Sequence, residues 1–345
     1  MIRHHDGIAG YWHGAQKTPA LPSMKHDSFY EMWKWEPWVR AELIDFEMIS
    51  SVRFLADDDA ETATLTGPGN QLLASIKRPT AQVFKAQLDV INNYADLRED
   101  RASEIITQMG MQTPFWGMLA FLRPERTPKT IEYLAAAQRF ATTVEMRFKH
   151  ALACPRAIEY SPQLQPMILT PGHGSLPSGH STQAYTIVEA YWALLPENRR
   201  PPLLRAQLEA QAARVAVNRT VAGVHFPVDT AAGHVLGTAL GQYFAATCDP
   251  DAVTNTARPR EFFGNLFRDD YDPAEFDAQS HPGHLGAPKP ITAARSNVLN
   301  WLWQTARNEW REQGPPDPVD PPPPPGGGQV KAKRERVTTK HDRKQ

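Results

Sequence analysis

The sequence lacks the features that mark several classes of protein. Its 345 residues include only two cysteines, Cys154 and Cys248, too few for a disulfide framework. No apolar run reaches the roughly 18 residues of a membrane-spanning helix, because Glu189 and Gln242 interrupt the two best candidates. The residues after Met1 contain no apolar core of a signal peptide. These absences predict a soluble, cytoplasmic protein without a membrane span.

The chain also lacks an excess of either positive or negative charge. The formal net charge is -1, so no overall field favours nucleic acid as a partner. The exception is residues 331–345, which hold seven Lys or Arg and two acidic residues. They follow five prolines from Pro321 and a glycine run, so 314–345 is predicted to be a disordered linker and basic tail. Such a tail can dock to an acidic partner, although a solvated tail is the simpler interpretation.

Strand patterns are sparse, because no alternating apolar run is bounded by hairpin turns. Helical periodicity is common instead, and we expect an all-α helical bundle. The domain spans 1–313, with an N-terminal helical part at 1–129, a core at 130–247 and an extension at 248–313. Helices are predicted at 81–97, 130–153, 181–195, 203–218, 229–247 and 296–314. The early histidines have no helical ligand spacing and are expected in surface or packing roles: His4, His5, His13 and His26.

Three small glycines mark the helix predicted at 229–247. Gly233, Gly237 and Gly241 recur at steps of four and therefore form a smooth stripe along one helix face. In a helical bundle such a stripe indicates close packing against another helix.

Three cationic residues, Lys149, Arg156 and Arg219, suggest an oxyanion site. Phosphoryl oxygens carry up to two negative charges, and the planar guanidinium of arginine binds two oxygens at once. A lone Lys or Arg on a helix is usually solvated, so the interpretation depends on their joint spacing with two other segments.

The first of these segments is Pro177-Ser178-Gly179-His180, just before a predicted helix. The N-terminus of a helix presents free N–H groups to anions, Gly179 permits close approach of the backbone, and Ser178 can donate its hydroxyl. By itself the tetrapeptide is equally well a helix-capping turn.

The second segment holds His225, with Asp229 four residues later. A carboxylate at that spacing can fix the tautomer of the imidazole and leave the other ring nitrogen as a nucleophile. His180 has no such neighbour and suits a general acid. The same pair could belong to a metal site, but further closely spaced ligands are missing. Nearby cations should lower the pKa of both histidines, and a bell-shaped pH profile on the acidic side of neutral follows.

Together these segments resemble the type 2 phosphatidic acid phosphatase (PAP2) superfamily, which includes bacterial acid phosphatases and vanadium-dependent haloperoxidases. The pattern is Lys, six residues, Arg-Pro; Pro-Ser-Gly-His; and Ser-Arg, five residues, His, three residues, Asp. The spacing fits throughout. Ala157 replaces the proline and Asn218 replaces the serine. The resemblance implies a helical bundle.

The resemblance also implies roles. His225 would form the phosphohistidine, or ligate vanadate in a haloperoxidase, and His180 would be the acid–base residue. The oxyanion would be held by Lys149, Arg156, Ser178, Gly179 and Arg219. His173 and Asn218 are candidates for supporting positions.

We therefore expect a metal-independent phosphohydrolase that needs no cofactor and acts on a small phosphate ester. The alternative is a haloperoxidase that uses vanadate, halide and peroxide, since one pocket can hold phosphate or vanadate and His173 does not discriminate. A third interpretation is an inactive helical scaffold whose tail binds a partner. The sequence leaves the oligomeric state open.

Overall fold

The computed structural model describes residues 28–59, 61–110, 112–249, 256–257, 259–278 and 289–311. The predicted linker and tail at 314–345 lie outside these residues. So do the early histidines, His4, His5, His13 and His26.

The helices follow one another with short connections over most of the described chain. In chain order they are α1 (Pro37–Ser50), α2 (Ala81–Ala86), α3 (Leu88–Asn93), α4 (Arg98–Thr107), α5 (Thr113–Ala120), α6 (Pro128–Leu152), α7 (Ala157–Tyr160), α8 (Gly179–Leu194), α9 (Pro202–Val221), α10 (Pro227–Cys248), α11 (Pro273–Ala278) and α12 (Asn297–Arg311). Short 3₁₀ turns occur at Phe29–Lys34, Pro68–Asn70, Tyr94–Leu97, Pro162–Leu164, Glu197–Arg199 and Gly264–Leu266. Helix α8 packs against α6, α9 and α10, and these four helices carry the candidate site.

The long helices agree with the apolar periodicity of the sequence. Helices α6, α8, α9 and α10 begin and end close to their predicted bounds. Proline occupies the first or second helical position, where no intrahelical N–H bond is lost, in α1, α5, α6, α9 and α10. Helix α12 is capped as expected, since the Ser296 hydroxyl accepts from the Leu299 N–H at 3.2 Å. The predicted end of this last helix, near Gly314, lies outside the described residues.

The glycine stripe of α10 lies against α8. A methyl group on Gly237 would lie 2.3 Å from the carbonyl oxygen of Thr182, and one on Gly233 would lie 2.6 Å from the Ser181 Cβ. Both distances are shorter than any real contact, so the two helices can approach this closely only without a side chain there. The prediction of close helix packing is confirmed, and it fixes the start of α10 beside the start of α8.

The prediction of a single helix at 81–97 is wrong. The chain forms α2 and α3 and then a 3₁₀ turn, with the first break at Gln87. This side chain is fully buried, accepts from the Val228 N–H at 3.1 Å and donates to the Asp269 carbonyl at 3.1 Å. These bonds join distant parts of the chain, and apolar periodicity contains no information about them.

The expectation of a mostly helical fold is confirmed, but the chain is not strictly all-α, because it contains a small four-stranded sheet. The strands of the structure are β1 (Arg53–Asp57), β2 (Thr62–Thr66), β3 (Leu72–Lys77), β4 (Thr256–Ala257), β5 (Arg260–Phe263) and β6 (Lys289–Pro290). The sheet has the order β1-β2-β3-β5, with β1, β2 and β3 antiparallel and β5 parallel to β3, so that Ala74 pairs with Arg260. Strands β4 and β6 form a separate antiparallel pair.

The sheet was missed for two physical reasons. Its strands are only four to six residues long, so alternation is weak. The partner of β3 comes from a part of the chain so distant that no hairpin turn marks it. The local signal that was present is the Thr-Ala-Thr-Leu-Thr run before the turn at Pro68–Asn70. Strand β2 contacts α6 and β3 contacts α10, so the sheet supports two helices of the site.

No helix within the described ranges is both long and apolar enough to cross a membrane.

Candidate active site

The residues predicted for the site lie at helix ends that meet in space. Lys149 is in the last turn of α6, and Arg156 directly precedes α7. Ser178 is the N-cap of α8, where Gly179 and His180 are the first helical residues. The remaining three are Arg219 in the last turn of α9, His225 in the α9–α10 turn and Asp229 in the first turn of α10. The Ser178 N–H donates to the Asp229 carbonyl at 2.8 Å, which ties the α8 and α10 starts together.

The His225 ring is held from both sides. Its Nδ1 lies 3.0 Å from Asp229 Oδ2, and its Nε2 lies 3.1 Å from Arg156 Nη1. A guanidinium can only donate, so Nε2 must accept and the ring proton must be on Nδ1, which donates to Asp229. This tautomer gives Nε2 the lone pair that a nucleophile needs.

The charge states of this pair follow from burial. Burial lowers the pKa of His225 well below its usual value, and the positive charges of Arg156 and Lys149 lower it further. The expected direction is therefore confirmed, but burial is a larger cause than the cations. Burial raises the pKa of Asp229 to about 6, against the opposing effects of the Phe226 N–H and of Lys149. At neutral pH the ring is neutral and the carboxylate is charged.

Two of the three cations hold the backbone around the site. The buried Lys149 ammonium donates to the carbonyls of Ser175 at 3.0 Å and Gly174 at 3.3 Å, and also to that of Pro177. Arg156 donates through Nε to the His173 carbonyl at 3.0 Å and through Nη1 to the Val224 carbonyl at 2.7 Å. These bonds fix the loop before α8 and the turn before His225.

Arg219 differs from the other two cations. It is 1% exposed, and only its Nη2 is bonded, to Gln108 Oε1 at 2.8 Å and the Ile105 carbonyl at 3.2 Å. Among the described residues its Nε and Nη1 have no partner, and neither does the buried Ser178 hydroxyl. Unpaired buried donors are costly, and natural proteins satisfy nearly all of them. The donors therefore fit an oxyanion such as phosphate or vanadate.

His180 is held from the N-terminal part of the chain. Its Nε2 lies 2.8 Å from the backbone oxygen of Gln108. A carbonyl only accepts, so the proton is on Nε2 and Nδ1 has the lone pair. Burial lowers the pKa of His180 to about 3, and the charge of Arg219 adds to this effect.

The comparisons with known proteins agree with this geometry. Residues 114–249 match the model of the PAP2 superfamily. The segment that holds every predicted site residue is therefore similar to the PAP2 superfamily. This similarity supports a phosphatase-type phosphohydrolase at the level of the family.

Two further comparisons were made. The chain is similar to a solved transmembrane PAP2-type phosphatidylglycerolphosphate phosphatase from Bacillus subtilis at 15% identity, with a TM-score of 0.38. The match covers 63% of this chain and 98% of that one. No curated protein matches this chain.

The two supporting candidates, His173 and Asn218, differ in exposure and in their partners. His173 is exposed, and its Nδ1 lies 3.1 Å from Arg156 Nη2, so it contacts the cation that faces His225. Partial burial of the His173 ring lowers its pKa. Asn218 is fully buried, accepts from Arg101 Nη1 at 3.0 Å and donates to Gln108 Oε1 at 3.1 Å. The amide of Asn218 therefore makes two bonds in a place where the PAP2 pattern has serine.

Sequence reasoning missed two buried residues of the site. Glu145 lies one turn before Lys149 on α6, and a methyl group on Gly179 would lie 2.6 Å from its Oε1. Burial raises the pKa of Glu145, whereas Lys149 lowers it. The spacing of four from Lys149 could have indicated Glu145. Gln108 is the second, and no signal in the sequence connects it with His180 or Arg219.

Within the described part of the chain, no three His, Cys, Asp or Glu residues are placed so that they could hold a metal ion. The catalytic roles assigned from the sequence stay predictions.

Proposed function

We propose that the protein is a phosphohydrolase that cleaves a phosphate monoester through a phosphohistidine at His225. The observation that carries this proposal is the orientation of the His225 ring, with Nδ1 on Asp229 and Nε2 beside Arg156. The unpaired donors of Arg219 support it, because they suit the oxygens of a phosphoryl group.

In the first step the Nε2 lone pair of His225 attacks phosphorus. A nitrogen–phosphorus bond forms while the bond to the ester oxygen breaks, and its electron pair leaves with that oxygen. His180 delivers a proton to the leaving oxygen. The Arg156 donor that faces Nε2 transfers its hydrogen bond to a phosphoryl oxygen. Asp229 stabilises the positive charge that the ring acquires.

In the second step water attacks the phosphorus of the phosphohistidine. His180, now without its extra proton, accepts a proton from this water. The nitrogen–phosphorus bond breaks, its electrons return to Nε2, and orthophosphate leaves. No metal ion and no cofactor is required in either step.

The proton on His180 depends on the substrate. Burial and the cations keep the ring neutral in the free site at neutral pH, since its pKa is about 3. A bound phosphoryl dianion raises the pKa of His180, because its negative charge stabilises the protonated ring. We expect a bell-shaped rate profile centred on the acidic side of neutral, whose limbs belong to the coupled groups.

The test is His225→Ala, with His150→Ala as the matched control. His150 is an exposed histidine on α6 that takes no part in the proposed chemistry. The first variant should lose turnover of an aryl phosphate, and the control should retain it. Rapidly quenched wild-type protein should carry acid-labile phosphate on His225. Absence of phosphatase activity from mildly acidic to mildly alkaline pH, with several substrates, would refute the proposal.

The alternative functions give different results. Orthovanadate should inhibit a phosphatase, because it occupies the phosphoryl site. In a haloperoxidase His225 and the surrounding donors would hold vanadate as the cofactor, and the loaded protein should oxidise bromide with peroxide. For an inactive scaffold, deletion of 315–345 should remove the main function, whereas an enzyme should keep its activity.

A further inference from the structure

Gln108 contacts two predicted catalytic groups at once. It directly follows α4, is fully buried and lies outside the PAP2 match. Its backbone oxygen accepts from His180 Nε2, and its side-chain Oε1 accepts from Arg219 Nη2, both at 2.8 Å. One residue therefore links the general acid to the oxyanion-binding arginine.

The end of a helix is a suitable place for these contacts. The last carbonyls of a helix have no intrahelical partner and carry a partial negative charge. At the end of α4 the carbonyl of Ile105 accepts from Arg219 and that of Gln108 accepts from His180. The Gln108 N–H itself bonds to the Glu104 carbonyl at 2.9 Å, which keeps this backbone in place. The α4 terminus thus presents carbonyl acceptors to both the Arg219 guanidinium and the neutral His180 ring.

The orientation of the Gln108 amide is fixed by its neighbours. Its Nε2 donates to Glu104 Oε1 at 3.0 Å, so its Oε1 must face the other way. There it accepts from Arg219 and also from Asn218 Nδ2 at 3.1 Å. Arg101 in turn donates to Asn218 Oδ1 at 3.0 Å. A serine at 218 has a single hydroxyl and a shorter reach, so the asparagine in this chain fits a site that includes α4.

We propose that Gln108 is a positioning residue that orients the Arg219 guanidinium and selects the tautomer of His180. The proposal rests on the proposed function, and it adds α4 to the active site. The side chain of Gln108 holds Nη2 of Arg219, so that Nε and Nη1 face the phosphoryl oxygens. Its backbone carbonyl holds the Nε2 proton of His180, so that Nδ1 is the position at which a second proton is gained and delivered.

The experiment compares Gln108→Met and Gln108→Glu with wild type. Methionine keeps the length of the side chain but cannot bond Arg219. Glutamate keeps an acceptor but neutralises the guanidinium that the phosphate needs. Binding of inorganic phosphate is measured by titration calorimetry, and kcat and KM are measured with an aryl phosphate. We expect phosphate affinity to fall and KM to rise about ten-fold in Gln108→Met, which corresponds to loss of a hydrogen bond to a charged group. Gln108→Glu should lose at least as much, and kcat should change less than KM in both.

The matched control is Arg214→Met. Arg214 is an exposed residue that pairs with Glu104 and bonds neither His180 nor Arg219, and its loss leaves Glu104 Oε1 as the acceptor of the Gln108 amide. The Arg214→Met substitution removes a contact that holds α4 in place. If loosening of α4 alone lowered the phosphate affinity, the control variant should lose affinity as well. We expect its phosphate affinity to stay within about two-fold of wild type.

Folded Gln108 variants with wild-type phosphate affinity and KM would overturn the inference, even if their melting temperature fell. Gln108→Glu keeps this test available if the methionine variant does not fold. If wild type binds phosphate but hydrolyses no ester, the proposed function fails. The phosphate affinities of wild type and the two Gln108 variants then still test whether Gln108 positions Arg219. Wild-type protein that binds no phosphate would overturn both.

Discussion

Replacement of Asp229 by asparagine isolates the electrostatic part of the proposed chemistry. The asparagine oxygen can accept from the Phe226 N–H, now 2.9 Å away, and from His225 Nδ1, so the geometry is kept. Only the negative charge is lost. Since Asp229 is fully buried beside the ring that becomes positive in the transition state, we expect Asp229→Asn to lower kcat strongly.

The magnitude follows from the distance. His225 Nδ1 and Asp229 Oδ2 are 3.0 Å apart, which places the two charge centres about 4 Å apart. At an effective dielectric constant of about 20 their attraction is about 4 kcal/mol. Because a neutral hydrogen bond remains in the variant, we expect a loss of about 10²- to 10³-fold in kcat. Phosphate affinity should stay constant or increase, because an anion is removed from the neighbourhood of three cations.

The pH profile gives a second measurement. The Asp229 carboxyl has a pKa raised to about 6 by burial, so wild type should lose activity as the pH falls through this value and the carboxylate is protonated. Asparagine does not titrate, and this acidic limb should disappear from kcat/KM in the variant. Ser175→Ala is the control, since it removes only a 3.4 Å contact to Oδ1 and should cost less than about three-fold. A fall in kcat of less than three-fold for Asp229→Asn, or an equal fall in phosphate affinity, would refute the reasoning.

Three further outcomes are expected. His180→Ala should slow alkyl phosphates much more than aryl phosphates, because a good leaving group needs no proton, and equal losses would show that His180 is not the acid. Gly237→Ala should destabilise the protein by at least about 3 kcal/mol in urea, since the methyl group would lie 2.3 Å from the Thr182 oxygen, whereas Gly172→Ala meets nothing within 4 Å and should be neutral. Burial holds the pKa of His234 well below 6.5, so only the unfolded state gains its proton as the pH falls below 6.5; the stability present above that pH is then lost by about 1.4 kcal/mol per pH unit. His234→Gln should remove this contribution from the pH dependence of the unfolding free energy, measured in urea between pH 7 and 5, and an unchanged slope would contradict it.

The helices and the site residues could be predicted from the sequence for different reasons. Helix α6 is long and has an apolar face, while α8 and α10 are rich in apolar and small residues, so the helical character of all three is a local property of the chain. The site residues occupy fixed positions at helix ends, and motif spacing therefore identifies them. The spacing could not show that the Lys149 ammonium donates to backbone carbonyls while two donor nitrogens of Arg219 have no partner. That difference depends on neighbours in the folded chain.

Several of the parts that escaped prediction involve contacts between distant positions. Gln108 meets Arg219 across 111 residues of sequence, and Gln87 breaks a helix by bonding to the start of α10. Strand β5 is only four residues long and is recognisable as a strand only through its pairing with β3. A periodic pattern reports which face of an element is buried, but it does not report what covers that face.

The pairing of β3 with β5 has a consequence for synthesis of the chain. About 180 residues separate the two strands, and closing a loop of that length costs about 3 kcal/mol more than closing the short β1–β2 hairpin. At roughly 5 to 20 residues per second, a ribosome would complete β5 about 10 to 40 s after β3. During this interval one edge of β3 is without its strand partner, and an open edge invites pairing with other chains. The site-bearing helices are all made before the sheet can close, so a nascent chain released early would carry the pocket together with an aggregation-prone edge.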